Sequence, residues 1–196
     1  NTSPALLGRG DDYGQGLVQA IADELEAQGA SVADEIIYDP QAASYDAEVN
    51  QAADSGADSV VIVGFEEGAQ IIQGLIEAGM GPQDVDFYTA DGMASNETPG
   101  SVDPNDPAVL EGMIATRAAT DASPDFITRL QEEAGIEDTT YAPQAYDCMM
   151  LIALAAEAAG SDVGSDIAAA VPEVMSGDVE CSSFEECKGA LEDGDT

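Results

Sequence analysis

The sequence predicts an α/β fold, a doubly wound parallel sheet with helices packed on its faces. Three observations predict it. Apolar residues at helical spacing alternate with short strand-like runs. One run, Val60-Val61-Ile62-Val63, is apolar without interruption, as in a strand buried on both faces. Glycines follow the helical stretches, and Pro- or Gly-containing turns follow the strands. The resulting order, βαβαβ, implies crossovers that bring the strands parallel.

The first helix is expected from about Gln15 to Gln28, with Leu17, Ile21 and Leu25 on one face and Gly29 as its C-terminal cap. Asp11-Asp12-Tyr13-Gly14-Gln15-Gly16 leads into it, so Tyr13 sits where a loop enters a helix, beside glycines that let another surface approach closely. Val32 to Tyr38 reads as a strand stopped by Asp39-Pro40. Tyr45 to Ser55 reads as a short helix. Asp58 to Gly64 is the buried strand. Glu66 to Ala78 returns to helix with Ala69, Ile72, Leu75 and Ile76 inward, and Val85 to Thr89 is the next strand. Ala94 to Pro107 is rich in Asn, Pro, Gly and Ser and reads as loop, and Gly112 to Ala119 as a further strand. Ser123-Pro124-Asp125 is a helix start: a capping hydroxyl, a proline in the first turn and an acid for the dipole. That helix is expected to end near Gly135. Ala142 to Ala159 is apolar almost all round, which suits a helix packed between layers or domains. Ser165 to Met175 is a weaker helix containing Pro172. Ser182 and Ser183, with Glu185 and Glu186 three residues on, cap a last helix to about Leu191.

The chain's 196 residues suffice for one good core, or one domain and part of another. Lys and Arg number 4 against 40 Asp and Glu, a net charge of −36. Such a surface repels phosphate backbones and anionic lipid, so neither nucleic acid nor a membrane surface is an expected partner. It is either a solvated acidic coat or an adaptation to high salt, where counterions screen the repulsion. The chain has no His, hence neither the usual general base nor the usual metal ligand, and no cofactor or metal is implied. No apolar run approaches the ~20 residues needed to span a bilayer. No signal peptide is recognisable, which fits a cytosolic chain or a mature secreted one. Cys181 and Cys187 bracket a polar segment, and a local disulfide is expected there rather than zinc, implying an oxidising compartment. Cys148, in an apolar run, is expected to be a buried free thiol.

Ligands of an open parallel sheet bind outside the carboxyl ends of its strands. Here those ends are Gly64-Phe65-Glu66 and Ala90-Asp91-Gly92, and Tyr13 stands at the corresponding start of the first helix. A carboxylate beside two rings suits an ammonium ligand, through an ion pair and cation–π contact. The bland alternatives are that Asp91 caps a turn, Phe65 is core and Tyr13 is a surface ring. Other motifs are weak. Gly8 to Gly14 resembles a dinucleotide loop with its third glycine one position late and no strand evident before it. Arg9-Gly10-Asp11 is an adhesion tripeptide that arises often by chance. Asn1-Thr2-Ser3 and Asn96-Glu97-Thr98 are glycosylation sequons, and Asp103-Pro104-Asn105-Asp106 lacks the spacing of a calcium loop.

These residues together resemble a known family. From Asp12 to about Ala159 the chain is similar to the type I periplasmic binding proteins of branched-chain amino acid ABC transporters. Asp12 to Leu17 looks like the family's YG.G entry to the first helix of its second lobe, Ala57 to Gly64 like its G.D.V...G strand, and Gln70 to Met80 like the helix that follows. Asp91-Gly92-Met93 resembles the turn where members carry an acid that meets the ligand's α-amino group, and Tyr141 to Asp147 the helix re-entering the first lobe. Cys181 to Cys187 is similar to a disulfide-bearing segment in a branch of the family.

The resemblance implies a non-enzymatic, extracytoplasmic solute-binding protein. It would take an amino acid or similar small ligand between two lobes and deliver it to an ABC permease. Asp91 would pair with the α-ammonium. Tyr13 and Phe65, with Gly64 and Glu66 beside them, would form the second-lobe wall. Tyr141 would lie near the hinge, and Thr2 in the first-lobe wall that binds the α-carboxylate. Glu66-Glu67 departs from the family's usual neighbours, leaving side-chain specificity open. Residues 1–7 resemble a remnant of a first-lobe loop, 8–140 the second-lobe domain, and 141–196 the hinge crossover and first-lobe helices. Leu7-Gly8-Arg9 joins parts that a helix and strand separate in the family, so the chain is expected to be a fragment or a trimmed form. Two other readings compete. One is the ectodomain of a sensory receptor with the same fold. The other is a flavodoxin-like or receiver domain, disfavoured because the sole lysine, Lys188, lies outside the α/β part.

Overall fold

The computed structural model describes residues 3–117, 122–176 and 179–193. Two compact units divide the chain, Asn1–Ala119 and Thr120–Thr196. The boundary therefore precedes the helix that starts at Pro124, not residue 141 as the sequence suggested.

The first unit is a parallel sheet. Its strands are β1 (Pro4–Arg9), β2 (Asp34–Tyr38), β3 (Ser59–Val63), β4 (Asp86–Thr89) and β5 (Ile114–Ala115), in spatial order β2-β1-β3-β4-β5. The predicted α/β class and parallel sheet are present. The expectation for residues 1–7 is corrected at residues 4–7, which belong to β1, a strand that pairs on both sides. Leu7 lies opposite Ile36 on β2 and Ile62 on β3. Pro4 made this stretch look like loop. A proline is tolerated as the first residue of a strand, where its missing N–H is not needed and its carbonyl still bonds; here that carbonyl accepts from the Ala33 amide at 2.8 Å.

Side chains of β1 and β3 alternate between two apolar layers. On one face Ala5, Leu7, Val60 and Ile62 meet Phe87 and the inner sides of α2 (Asp46–Asp54) and α3 (Gly68–Glu77), contributed by Val49, Ala52, Ile71, Ile72 and Leu75. On the other, Leu6 and Val63 meet Val18 and Ala22 of α1 (Asp12–Ala27). Both layers being apolar explains the unbroken run in β3. Ile76 is only partly buried and Ile71 takes the inward position instead.

Helix α1 begins three residues earlier than expected. Asp11 is extended and its carboxylate accepts from the Gly14 amide at 2.9 Å, so the helix starts at Asp12 and Tyr13 lies within its first turn. The expected loop from Ala94 to Pro107 contains α4 (Thr98–Val102), and Pro107–Leu110 is a 3-10 turn. Pro99 and Pro107 sit in first turns, where proline starts helices instead of breaking them, and buried Val102 and Leu110 hold them to the core. The strand expected from Gly112 shortens to two residues, and its far end, 118–119, falls outside the described residues.

The second unit is helical: α5 (Pro124–Ala134), α6 (Ala142–Ala159), α7 (Gly164–Met175) and α8 (Phe184–Asp193). Ser123 caps α5, accepting from the Phe126 amide at 3.2 Å, and Gly135 ends it at φ 67° in the left-handed region that favours glycine. Cys181 and Cys187 form the expected disulfide, with Cα atoms 5.3 Å apart. Two expectations fail on α6. It buries only Leu154 and Ala155, while Met149 and Ile152 are exposed. Cys148 is a free thiol but exposed. An all-round apolar helix has more surface than α7 and α8 cover. Among the described residues no single helix is long and apolar enough to cross a membrane.

Leu7 is fully buried in β1, which is paired on both sides. Leu7→Ala should cost about 2–5 kcal/mol through lost transfer energy and a cavity, measured by urea denaturation. Charge of −36 within one small chain repels itself. Raising KCl from about 0.1 M to about 2 M should therefore raise the thermal midpoint in differential scanning calorimetry; an unchanged midpoint would mean that the repulsion is unimportant.

Candidate functional site

In this strand order the chain turns one way from β1 and the other way from β3. The carboxyl ends of those two strands flank the crevice where such sheets bind ligands. Arg9 closes β1, Tyr13 follows in the first turn of α1, and Gly64-Phe65-Glu66-Glu67 follows β3. Asp91 and Gly92, in a 3-10 turn (Asp91–Met93), follow β4.

These segments meet closely because glycines allow it. A Cβ on Gly64 would collide with the Tyr38 hydroxyl, and one on Gly92 with the Gly64 carbonyl oxygen and, at 2.7 Å, the Phe65 ring. Neither glycine has a positive φ; what each supplies is the missing side chain.

The packed turns build an aromatic shelf. The Tyr13 and Phe65 rings stack with centroids 5.1 Å apart and planes 14° from parallel. The Tyr13 hydroxyl donates to Asp91 Oδ1 at 2.7 Å and accepts from the Gly92 amide at 3.4 Å. Tyr13 is thus held at both ends, by Phe65 along its ring and by Asp91 at its hydroxyl. Phe65 remains 40% exposed, the exposure expected of a ring that offers surface and not of a core ring.

Behind the shelf lies an ionic network. Arg9 Nη1 is 2.8 Å from Glu67 Oε1, its Nε bonds Asp11, and its guanidinium lies over the Phe65 ring, 5.0 Å from the centroid. Glu67 also accepts from the Phe65 amide at 3.3 Å and lies 3.2 Å from the buried Tyr38 hydroxyl. Burial first, and Glu67 next, push the Tyr38 hydroxyl well above the ordinary tyrosine range. The bond from the Gly14 amide first, and Arg9 next, hold the Asp11 carboxyl below its ordinary value; both carboxylates raise that of Arg9.

A cleft of about 700 Å³ opens beside the shelf. Arg9, Phe65, Glu66 and Glu67 line it, together with Met93, Ser95, Glu97, Thr98 and Ser101. The expected residues Tyr13, Gly64, Phe65 and Asp91 are therefore together at one sheet edge, with Glu66 on the cleft beside them. Tyr13 and Asp91 brace the shelf without lining the cleft. Tyr141 belongs to the helical unit, where it precedes α6 at φ 61°. Thr2 lies outside the described residues. Sequence reasoning missed Arg9, Glu67 and Tyr38. The usable signal was that Arg9 is one of only four cations in the chain.

A carboxylate oriented by a phenol, beside stacked rings, can take up an ammonium group. Among the described residues there is no group of three or more His, Cys, Asp or Glu placed to hold a metal.

The sequence profile of the periplasmic binding protein family matches residues 1–180. Among curated proteins, none matches the sequence significantly. Similar folds occur in solved structures. The periplasmic binding protein type 1 from Bordetella pertussis Tohama I has 14% identity and a TM-score of 0.73, over 91% of this chain and 51% of that one. The leucine binding protein LivK from Thermotoga maritima has 20% identity and a TM-score of 0.70, over 87% and 49%. The branched-chain amino acid transporter substrate binding protein LivJ from Streptococcus pneumoniae, in complex with isoleucine, has 17% identity and a TM-score of 0.67, over 89% and 49%. At such identities the likeness shows the fold. This chain spans about half the length of each.

The close turns give a test. Gly92→Ala should destabilise the first unit by about 1–3 kcal/mol and displace Phe65, because the new methyl overpacks against backbone. Urea unfolding that matches the unaltered chain would contradict this packing.

Proposed function

We propose that this chain, which belongs to the periplasmic binding protein family, is the ligand-contacting part of an extracytoplasmic solute-binding protein serving an ABC importer. Its ligand is an amino acid or a similar small molecule bearing an ammonium group. One observation carries the reading: the Tyr13–Asp91 hydrogen bond of 2.7 Å beside the Tyr13–Phe65 stack, placed at the crevice between β1 and β3. The phenol orients the carboxylate before any ligand arrives. A cation reaching Asp91 beside the cleft gains an ion pair from its carboxylate, and less ordering is left for binding to supply.

Supporting the reading are a leucine-binding protein and a structure holding isoleucine among the relatives of this fold. The absence of His in the sequence fits binding better than acid–base chemistry. In the whole protein a facing lobe closes over the cleft by hinge motion, and the closed form is what a permease would recognise. Thr2 and Tyr141 are assigned to the ligand by family resemblance alone.

In a thermal-shift screen of the L-amino acids, at least one should raise the melting temperature, since a ligand that binds only the folded form stabilises it. For that amino acid, Asp91→Ala should weaken binding by roughly 2 kcal/mol or more, because an enclosed ammonium loses its partner. Calorimetry that returns an unchanged affinity would remove Asp91 from the site.

A further inference from the structure

We infer that Arg9 is the positioning residue of the ligand site, a two-way brace that sets the angle and spacing of the Tyr13–Phe65 shelf. The shelf's rings come from different segments. Tyr13 rides on α1, whose start is fixed by Asp11. Phe65 rides on the turn after β3, whose conformation is fixed by Glu67 through the Phe65 amide at 3.3 Å. Arg9 is bonded to both of these carboxylates at once, through Nε to Asp11 and Nη1 to Glu67. Its guanidinium also lies over the Phe65 ring, 5.0 Å from the centroid. A single planar group thus ties the segment under one ring to the segment under the other.

Residue chemistry makes the brace specific to arginine. A guanidinium presents its N–H donors in a rigid fork and engages two acceptors along fixed directions while stacking on a ring. A lysine ammonium supplies the same charge from one flexible point. The network is anchored beyond Arg9, since Glu67 also meets the Tyr38 hydroxyl, whose ring is fully buried at the end of β2. Position supports the assignment too. Arg9 is the last residue of β1, which is hydrogen-bonded to a strand on each side, so the brace starts from an anchored part of the sheet. It is also the cation that lines the cleft, in a chain with only four.

The relevance to ligand rests on the reading under Proposed function, whereas the effect on the shelf does not. The test therefore has two arms, both on this chain with Arg9→Lys, Arg9→Met and Glu67→Gln. In the first, without ligand, cross-relaxation between Tyr13 and Phe65 ring protons is measured by NMR. In the second, L-isoleucine is titrated by calorimetry. The expected result is that Arg9→Lys and Arg9→Met both lose at least half of the ring cross-relaxation and weaken isoleucine at least tenfold. Their melting temperatures should stay within a few degrees of the parent, and Glu67→Gln should show the same change to a smaller extent. Unchanged cross-relaxation in Arg9→Met, or full recovery of stack and affinity by Arg9→Lys, overturns the brace. If Arg9→Met does not fold, Arg9→Lys and Glu67→Gln decide the matter by the same criteria. If the parent chain fails to bind isoleucine while the stack responds as expected, the brace stands and isoleucine binding by this chain alone is excluded.

Discussion

The pairing of β1 with both β2 and β3 is the constraint on which the rest depends. A strand buried on both faces has no water for its amides, so its backbone groups must be met by neighbours on each side. Parallel neighbours meet them only if each crossover passes over a face of the sheet, which places α1 on one side and α2 and α3 on the other. That arrangement carries the chain away from β1 in one direction and from β3 in the other. The crevice at their carboxyl ends then follows from strand order, before any side chain in it is considered.

The side chains there resolve a tension set by composition. A chain with 40 acidic residues and 4 basic ones cannot pair its carboxylates with cations as most proteins do. At the crevice Asp11 and Glu67 share one cation, Arg9, and amides and a phenol supply the rest. Asp11 takes an amide at a helix start, Asp91 takes a phenol, and Glu67 takes an amide and the one nearby cation. Each bond also orients something useful: a helix, a ring or a turn. Hydrogen bonds to carboxylates are stronger than neutral ones, which suits turns that hold one fixed geometry.

The helical unit shows the opposite balance. Helix α6 is apolar around most of its circumference, yet Met149 is 62% exposed and Ile152 47%. The Cys181–Cys187 bridge closes a short loop at the start of α8, where Lys188 pairs with Glu157 of α6 at 3.0 Å. The ion pair links α8 to α6, whereas the bridge constrains the entry to α8 alone.

Much of this was legible in the sequence. Val60 to Val63 marked a strand buried on both faces because both its layers are apolar. Ser123-Pro124 and Gly135 marked the ends of α5 because capping chemistry is local. Cys181 and Cys187 marked a disulfide by proximity along the chain. The convergence of Tyr13, Phe65 and Asp91 was legible because the turns after parallel strands gather at one end of the sheet, and those turns were readable. Other features depend on distance in space, and only the tertiary structure decided them. Pro4 to Arg9 looks like loop until β2 and β3 supply partners on either side. Cys148 and Met149 look buried until the extent of their neighbours is known. Arg9 looks like a surface cation until Asp11, Phe65 and Glu67 converge on it from two turns. Local propensity and periodicity are written in adjacent residues, whereas an ion pair across 58 positions of chain exists only once the sheet has brought its strand ends together.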